Sequence, residues 1–371
     1  MITNFQKKVF HILVVWGVLA FMTPNTTSFS FELKGFGDVT YTNSTEKGND
    51  KDSFSLGMLD LYASQLIDDK IDVFFELVIE TDEKTGEPVA DLERFQIGYI
   101  VNDALKVRAG RFHNILGYWN TAYHHGAQLQ TSVDRPAFLN FEDDGGILPA
   151  HMVGLWFSGR LKTAPATVLY GVMAGNGSRV RDGVLDPNNA SDDDKTKAAS
   201  FRLTIEPSAV EGLGVSLSGN LSTIKGHTTT QTIHPITQII TQTITQSMEV
   251  RQGVFSADVT YFAGNVEFIG EYYIINDEDE LSNDYSSSAY FAQGGYLIGE
   301  ELLPYLRYEK TSVDENDPYF KELLRTKDTE TMIGGLRYNI SPASSLKAEV
   351  RGVDNGTDKF EEYAIQWAVA F

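Results

Sequence analysis

Bulky apolar residues alternate with small or polar ones through the last stretch of the chain, from Phe360 to Phe371. Tyr363, Ile365, Trp367, Val369 and Phe371 share one face, and Glu362, Ala364, Gln366, Ala368 and Ala370 share the other. Successive side chains of a strand point to opposite sides, so the pattern predicts a two-faced β-strand. A strand that stops at the chain end leaves an open edge unless another strand closes on it. The first strand-like stretch, near residues 31–42, has the same two faces. The expected arrangement is a closed barrel whose seam joins the two ends of the mature chain.

The same period of two recurs along the chain, in about sixteen stretches counting these two ends, with almost no helical pattern among them. Phe95, Ile97, Tyr99 and Val101 oppose Arg94, Gln96 and Gly98, and Phe255, Ala257, Val259 and Tyr261 oppose Ser256, Asp258 and Thr260. Leu306 and Tyr308 oppose Tyr305, Arg307 and Glu309, and Leu346, Ala348 and Val350 oppose Lys347, Glu349 and Arg351. Connections after even-numbered strands are short, as at Asn102 to Ala104, Ala263-Gly264 and Ser341 to Ser344. Those after odd-numbered strands are mostly longer and polar. Membrane barrels sort their loops in this way, with short turns on one side and long loops on the other. A soluble sandwich has no reason to. Strands of roughly ten residues tilted about 45° cross a bilayer, and about sixteen of them enclose an aqueous channel. The fold class expected is therefore all-β, a transmembrane antiparallel barrel. Inward positions such as Ser256 and Gln366 are expected to accept a new charge in water.

Residues 1–30 read as a secretory signal peptide. Lys7 and Lys8 begin it, Val9 to Met22 form a short apolar run, and Ser28-Phe29-Ser30 supplies the small residues that cleavage needs. Residues 31–371 are left as the barrel, exported without a spanning helix.

Composition changes this picture little. Hydrophobic residues make up 42% of the chain, as in a soluble protein, but alternating strands average out in that way. Cys is absent, which excludes disulfides and thiolate metal sites. The net charge of −21 argues against a nucleic-acid partner. Thr223 to Ser247 repeats Thr, Gln and Ile, a composition that suits a mobile outer loop or, as the strand preference of Thr and Ile favours, a β-ribbon extending two neighbouring strands.

Candidate chemistry concentrates in the longest connection, residues 113–150. It carries Leu116, Tyr118, Trp119, Tyr123, Phe138, Leu139, Ile147 and Leu148, all of which need something to pack against. Outside a barrel they would touch little; folded into the lumen they bury on the wall and narrow the pore. The constriction candidates are Tyr118, Trp119, Asp134, Arg135, Glu142, Asp143 and Asp144. The charged pore-lining candidates are Arg94, Arg108, Asp258, Glu267, Glu271, Arg307, Glu309, Arg337, Lys347, Glu349 and Arg351. Arg108 is expected to face the loop carboxylates across a narrow gap. Phe371 is expected to serve as the assembly signal read by a barrel assembly machinery. His124-His125 could bind a metal, but adjacent side chains point apart in extended chain and no third ligand is evident. Loop packing is the favoured reading, and no metal or cofactor is assigned.

Val107-Arg-Ala-Gly-Arg-Phe112, Leu116-Gly-Tyr118 and Asp134-Arg-Pro136 resemble the strand-and-loop signature of the phosphate-selective porin O and P family. Gly295-Tyr-Leu-Ile298, Pro304-Tyr-Leu-Arg-Tyr-Glu309, Gly335-Leu-Arg-Tyr338 and the terminal Phe371 resemble that family's later strands. The resemblance implies a sixteen-stranded channel in the outer membrane of a Gram-negative bacterium, an inward third loop and a homotrimer. Lipid and lipopolysaccharide would surround it. It does not carry phosphate over, because here the inward basic residues interleave with Asp60, Glu349, Glu362 and other acids.

A passive pore for small hydrophilic solutes or ions is thus the expected function. Two other classes compete with it. One is a non-conducting barrel serving as receptor or anchor. The other is a barrel hydrolase, for which no nucleophile–His pairing stands out.

Overall fold

The computed structural model describes residues 32–48, 52–81, 86–140, 147–181, 184–186, 195–233 and 240–371. The signal segment 1–30 and the triad Glu142, Asp143 and Asp144 lie outside the described residues.

Alternation dictates the architecture. The strands are β1 Glu32–Ser44, β2 Asp52–Leu66, β3 Ile71–Thr81, β4 Pro88–Asn102, β5 Leu105–His113, β6 His151–Lys162 and β7 Ala166–Asn176. After the short β8 Arg179–Arg181 and β9 Val184–Asp186 come β10 Ala198–Pro207, β11 Leu213–Ile233, β12 Ile240–Ala263, β13 Val266–Asp279 and β14 Asp284–Tyr296. β15 Leu302–Ser312, β16 Thr329–Ser341, β17 Ser344–Asp354 and β18 Lys359–Ala370 complete the chain. The three-residue β8 and β9 form a small hairpin that the sequence pattern did not announce. The other sixteen strands form one closed antiparallel wall. Its seam is the expected one: β1 pairs with β18 from Phe36↔Ala370 to Ser44↔Glu362. Gly35 and Phe371 exchange backbone hydrogen bonds of 2.8 and 3.0 Å at its end.

The two faces sort as the pattern requires. Phe95, Ile97, Tyr99, Phe255, Val259, Leu306, Val350, Ile365 and Trp367 are exposed on the outer face, while Gln96, Ser256, Asp258, Arg307, Lys347, Glu349 and Gln366 are buried inside. An apolar outside and a polar inside is stable only where hydrocarbon replaces water around the wall. Short turns close one end. In the Gly264-Asn265 turn, Gly264 adopts φ 57°, the left-handed conformation that tight hairpins favour. The Thr/Gln/Ile segment forms the expected ribbon, with β11 and β12 paired out to Ile233↔Ile240.

A bulge interrupts the pairing of β3 with β4. Glu76 lies opposite Arg94 and Leu77 opposite Leu92, so Glu93 is skipped. Such a bulge lets two neighbouring side chains face the same way. Leu92 and Phe95 point out, and Glu93 and Arg94 both turn in.

Candidate functional site

The connection between β5 and β6 begins at Asn114 and contains a single helical turn, α1 (Tyr118–Ala122), and a 3₁₀ turn at Ala137–Leu139. Its backbone amides and carbonyls are met by inward-facing side chains of β11 to β17. The Gly117 N–H donates to Ser218 Oγ (3.0 Å), and Trp119 N–H to Glu271 Oε1 (2.7 Å). Tyr118 N–H also donates to Glu271, and Tyr273 Oη–H donates to the same carboxylate. A Cβ at Gly117 would run into Tyr273 and Glu271, and its φ of 68° favours glycine besides. Further along, Val133 N–H donates to Glu349 (2.7 Å) and Ala137 N–H to Glu309 (2.8 Å). Cations bind the carbonyls. Arg307 donates to the Asp134 carbonyl (2.8 Å), Arg337 to that of Gln130 (2.7 Å), and Lys347 to those of Ser132 (2.8 Å) and Ala127.

Apolar packing complements these bonds. Leu116, Trp119, Phe138, Leu139, Ile147 and Leu148 form one buried cluster with Ile269, Tyr273 and Phe291 of the wall. Trp119 sits edge-on to Phe291 at 5.6 Å, with the Arg307 guanidinium 5.7 Å over its ring.

The sequence-derived candidates fall into three groups. Glu271, Arg307, Glu309, Arg337, Lys347 and Glu349 face inward and hold the loop backbone. Arg351 joins Asp134 (2.6 Å) and Glu349 (2.6 Å), while Arg135 contributes its carbonyl to Arg307 (3.4 Å). Tyr118 packs against Tyr123 at 5.7 Å, and Glu267 is half-buried on β13.

Arg94 and Arg108 belong to the opposite arc, and with Asp258 of β12 they pair along the wall: Arg94 with Glu76, Arg108 with Asp72 (3.4 Å), and Asp258 with Arg202 of β10 (2.8 Å). Arg94 and Arg108 border a cavity of about 670 Å³ that is lined also by Lys106, Arg160, Lys162 and Arg202, with Asp103 as its acidic member. Arg108 therefore meets Asp72 and the Trp156 ring (5.2 Å), and Asp134 meets Arg351. The expected confrontation of Arg108 with loop carboxylates is not found among the described residues. Arg202 was missed, although Phe201, Leu203 and Ile205 alternate around it and point it inward.

Glu93, His113 and His151 were missed too, and they correct the reading of His124-His125. The two histidines do not point apart into loop packing. Both Nε2 atoms reach Glu93 Oε1, His124 at 3.1 Å and His125 at 2.7 Å, beside those of His113 (3.1 Å) and His151 (2.5 Å). Burial and the neighbouring His125 hold the His124 imidazole well below its ordinary pKa.

No known family model matches the sequence, and no curated protein matches it. The barrel is similar to solved structures at low identity. The anion-selective porin of Comamonas acidovorans superposes with a TM-score of 0.62 at 11% identity, covering 92% of this chain and 99% of that one. The trimer form of the outer-membrane protein OmpT of Vibrio cholerae gives 0.58 at 13%, covering 92% and 99%. The outer-membrane channel DcaP of Acinetobacter baumannii gives 0.58 at 12%, covering 92% and 97%. The porin architecture is shared, without a tie to the phosphate-selective O and P family in particular.

Proposed function

We propose that this chain is an outer-membrane porin through which small hydrophilic solutes and ions diffuse passively. One observation carries the reading: a closed sixteen-stranded wall, apolar outside and charged inside, whose longest loop is bonded mainly to inward-facing side chains of β11 to β17 and meets the opposite arc at Glu93. The loop then occupies part of the lumen and leaves the basic-lined cavity on the other arc as the passage. The named functions of its structural relatives, an anion-selective porin and an outer-membrane channel, agree with this.

Selectivity follows from charge and width at the loop. Arg94, Arg108, Arg160 and Arg202 on the open arc each pair with a carboxylate, which predicts weak preference between ion signs. Phosphate selectivity does not follow from a lining whose arginines are paired in this way. Residues 1–30 act as a cleaved signal, Phe371 as the assembly signal, and three copies assemble, as the trimer form of OmpT does.

The test is single-channel recording in a planar bilayer. Wild-type protein gives discrete conductance steps and a small reversal potential under a salt gradient. Replacing residues 118–146 with a short Gly/Ser linker leaves a folded barrel with larger steps. A wild-type barrel that gives no steps refutes the channel. A linker variant that folds but conducts no more than wild type places the constriction elsewhere.

A further inference from the structure

Five side chains from four segments converge at one point of the inner wall. The β4–β5 register, Phe95↔Arg111, carries on to set Glu93 level with His113, and His113 pairs directly with His151 on β6. Glu93, His113 and His151 therefore form one row across three adjacent strands, and the loop lowers His124 and His125 onto it. All five side chains are at least nine-tenths buried. One ligand atom from each of Glu93, His113, His124 and His151 lies within 4.8 Å of the others. That span approaches the roughly 4.2 Å that separates opposite ligands on a metal with bonds of about 2.1 Å.

Hydrogen bonding alone does not explain the convergence. A carboxylate oxygen has two lone pairs, yet four imidazole Nε2 atoms lie within 3.1 Å of Glu93 Oε1. The orientation of His124 sharpens the point. Asn120 Nδ2 donates to the Asn114 carbonyl (2.6 Å), which turns Asn120 Oδ1 toward His124 Nδ1 (2.5 Å). His124 therefore meets Asn120 through Nδ1, and Nε2 is the atom that faces the carboxylate. Holding a histidine through its outer nitrogen is how proteins orient imidazole ligands on metals.

We propose that Glu93, His113, His124 and His151 bind one late first-row divalent transition-metal ion, with His125 beside them as a further donor. Imidazole-rich sets suit zinc, nickel, copper and iron; magnesium and calcium require oxygen ligands. Glu76, 3.8 Å from His113 Nε2, adds a second carboxylate to the charge balance. His113 also borders the basic-lined cavity, which supplies an entry path. The ion ties the loop to β4–β6, on the arc opposite the one that holds it through Glu271, Arg307 and Glu349.

The experiment uses the full-length folded barrel in detergent, without a histidine tag, stripped with EDTA. It is titrated with Ni²⁺ and separately with Zn²⁺, with Mg²⁺ as control, and bound metal is measured by calorimetry and elemental analysis. One Ni²⁺ or Zn²⁺ per chain and no Mg²⁺ is the expected result. His124→Ala, on the loop, and His151→Ala, on the wall, each lower affinity by about 100-fold or more. Asn120→Ala, which only loses the orienting contact, lowers it by about 10–100-fold. Heat-modifiable migration on a gel confirms that each variant is folded. Folded wild-type protein that binds neither metal stoichiometrically overturns the proposal. So does binding that survives His124→Ala and His151→Ala unchanged, since the metal is then held elsewhere. The readout is metal content, not current, so the site and the channel stand or fall separately.

Discussion

The two arcs of the inner wall are built by the same alternation and end in different states. On β11 to β17 the inward side chains are consumed by the loop: Glu271, Glu309 and Glu349 accept its amides, and Arg307, Arg337 and Lys347 donate to its carbonyls. On β4 to β7 and β10 the inward arginines pair along the wall and border open space, and the loop reaches this arc at Glu93. An inward polar residue in a barrel is therefore not automatically a wetted one. Its state depends on whether backbone has been laid over it.

Substitutions that treat the arcs differently test this, and the strongest concerns Arg307. Its side chain is 1% exposed, ion-paired to Glu309 at 2.6 Å and bonded to the loop. Arg307→Ala strands Glu309 and frees two carbonyls, with an expected loss of about 3–5 kcal/mol and noisier single-channel currents. Arg108→Ala on the open arc, whose partner Asp72 is itself 26% exposed, is expected to cost much less. Unfolding in denaturant compares the two, and equal losses would erase the distinction between the arcs.

Next comes Leu306→Arg, one residue away on the opposite face. Leu306 is 67% exposed on the outside of the wall, and a charge there costs about 2–4 kcal/mol near the bilayer midplane. The yield of heat-resistant barrel in liposomes measures it. A yield equal to wild type would mean that this face does not meet lipid.

A smaller effect separates two serines. The sequence pattern makes Ser256 an inward position open to water, and the structure corrects that. Ser256 is bonded at 2.6 Å to Ser218, which accepts the Gly117 amide, so an arginine there collides with the loop at a cost of about 1–3 kcal/mol. Gln366 is covered in the same way, bonded to Lys347 and to Asp38. Ser158→Arg, facing the cavity, is expected to stay within about 0.5 kcal/mol of wild type and to move the reversal potential toward anions. If Ser256→Arg and Ser158→Arg behave alike in melting and in current, the loop does not cover the first.

The smallest effect is at the seam. Deleting Phe371 removes two backbone hydrogen bonds to Gly35, about 1 kcal/mol each, and an exposed aromatic from the outer face. Less assembled barrel, with unchanged conductance in the survivors, is the expected outcome on a gel and in the bilayer.

Much of this was legible in the residues. The strand count, the sorting of loops by parity, the seam between β1 and β18 and the β11–β12 ribbon all follow from a period of two. That period is local: each residue's face depends only on its neighbours in the chain. Arg202 was legible by the same rule, flanked as it is by Phe201 and Leu203.

Glu93 was not. Strict alternation assigns it the face of Phe95 and Ile97, and only the bulge against Glu76 and Leu77 turns it inward. A bulge arises from pairing with another strand, so no neighbour of Glu93 in the chain encodes it. The histidines show the same limit. His113, His124, His125 and His151 span nearly forty residues, and their meeting depends on the register of β5 on β6 and on where the loop comes down. Residue order alone sets which face each strand turns to water or to lipid, because side-chain direction in a strand is a short-range property. Which inward groups are covered, and which converge on one carboxylate, emerges only in the folded barrel, because register and loop placement are settled by contacts between residues far apart in the chain.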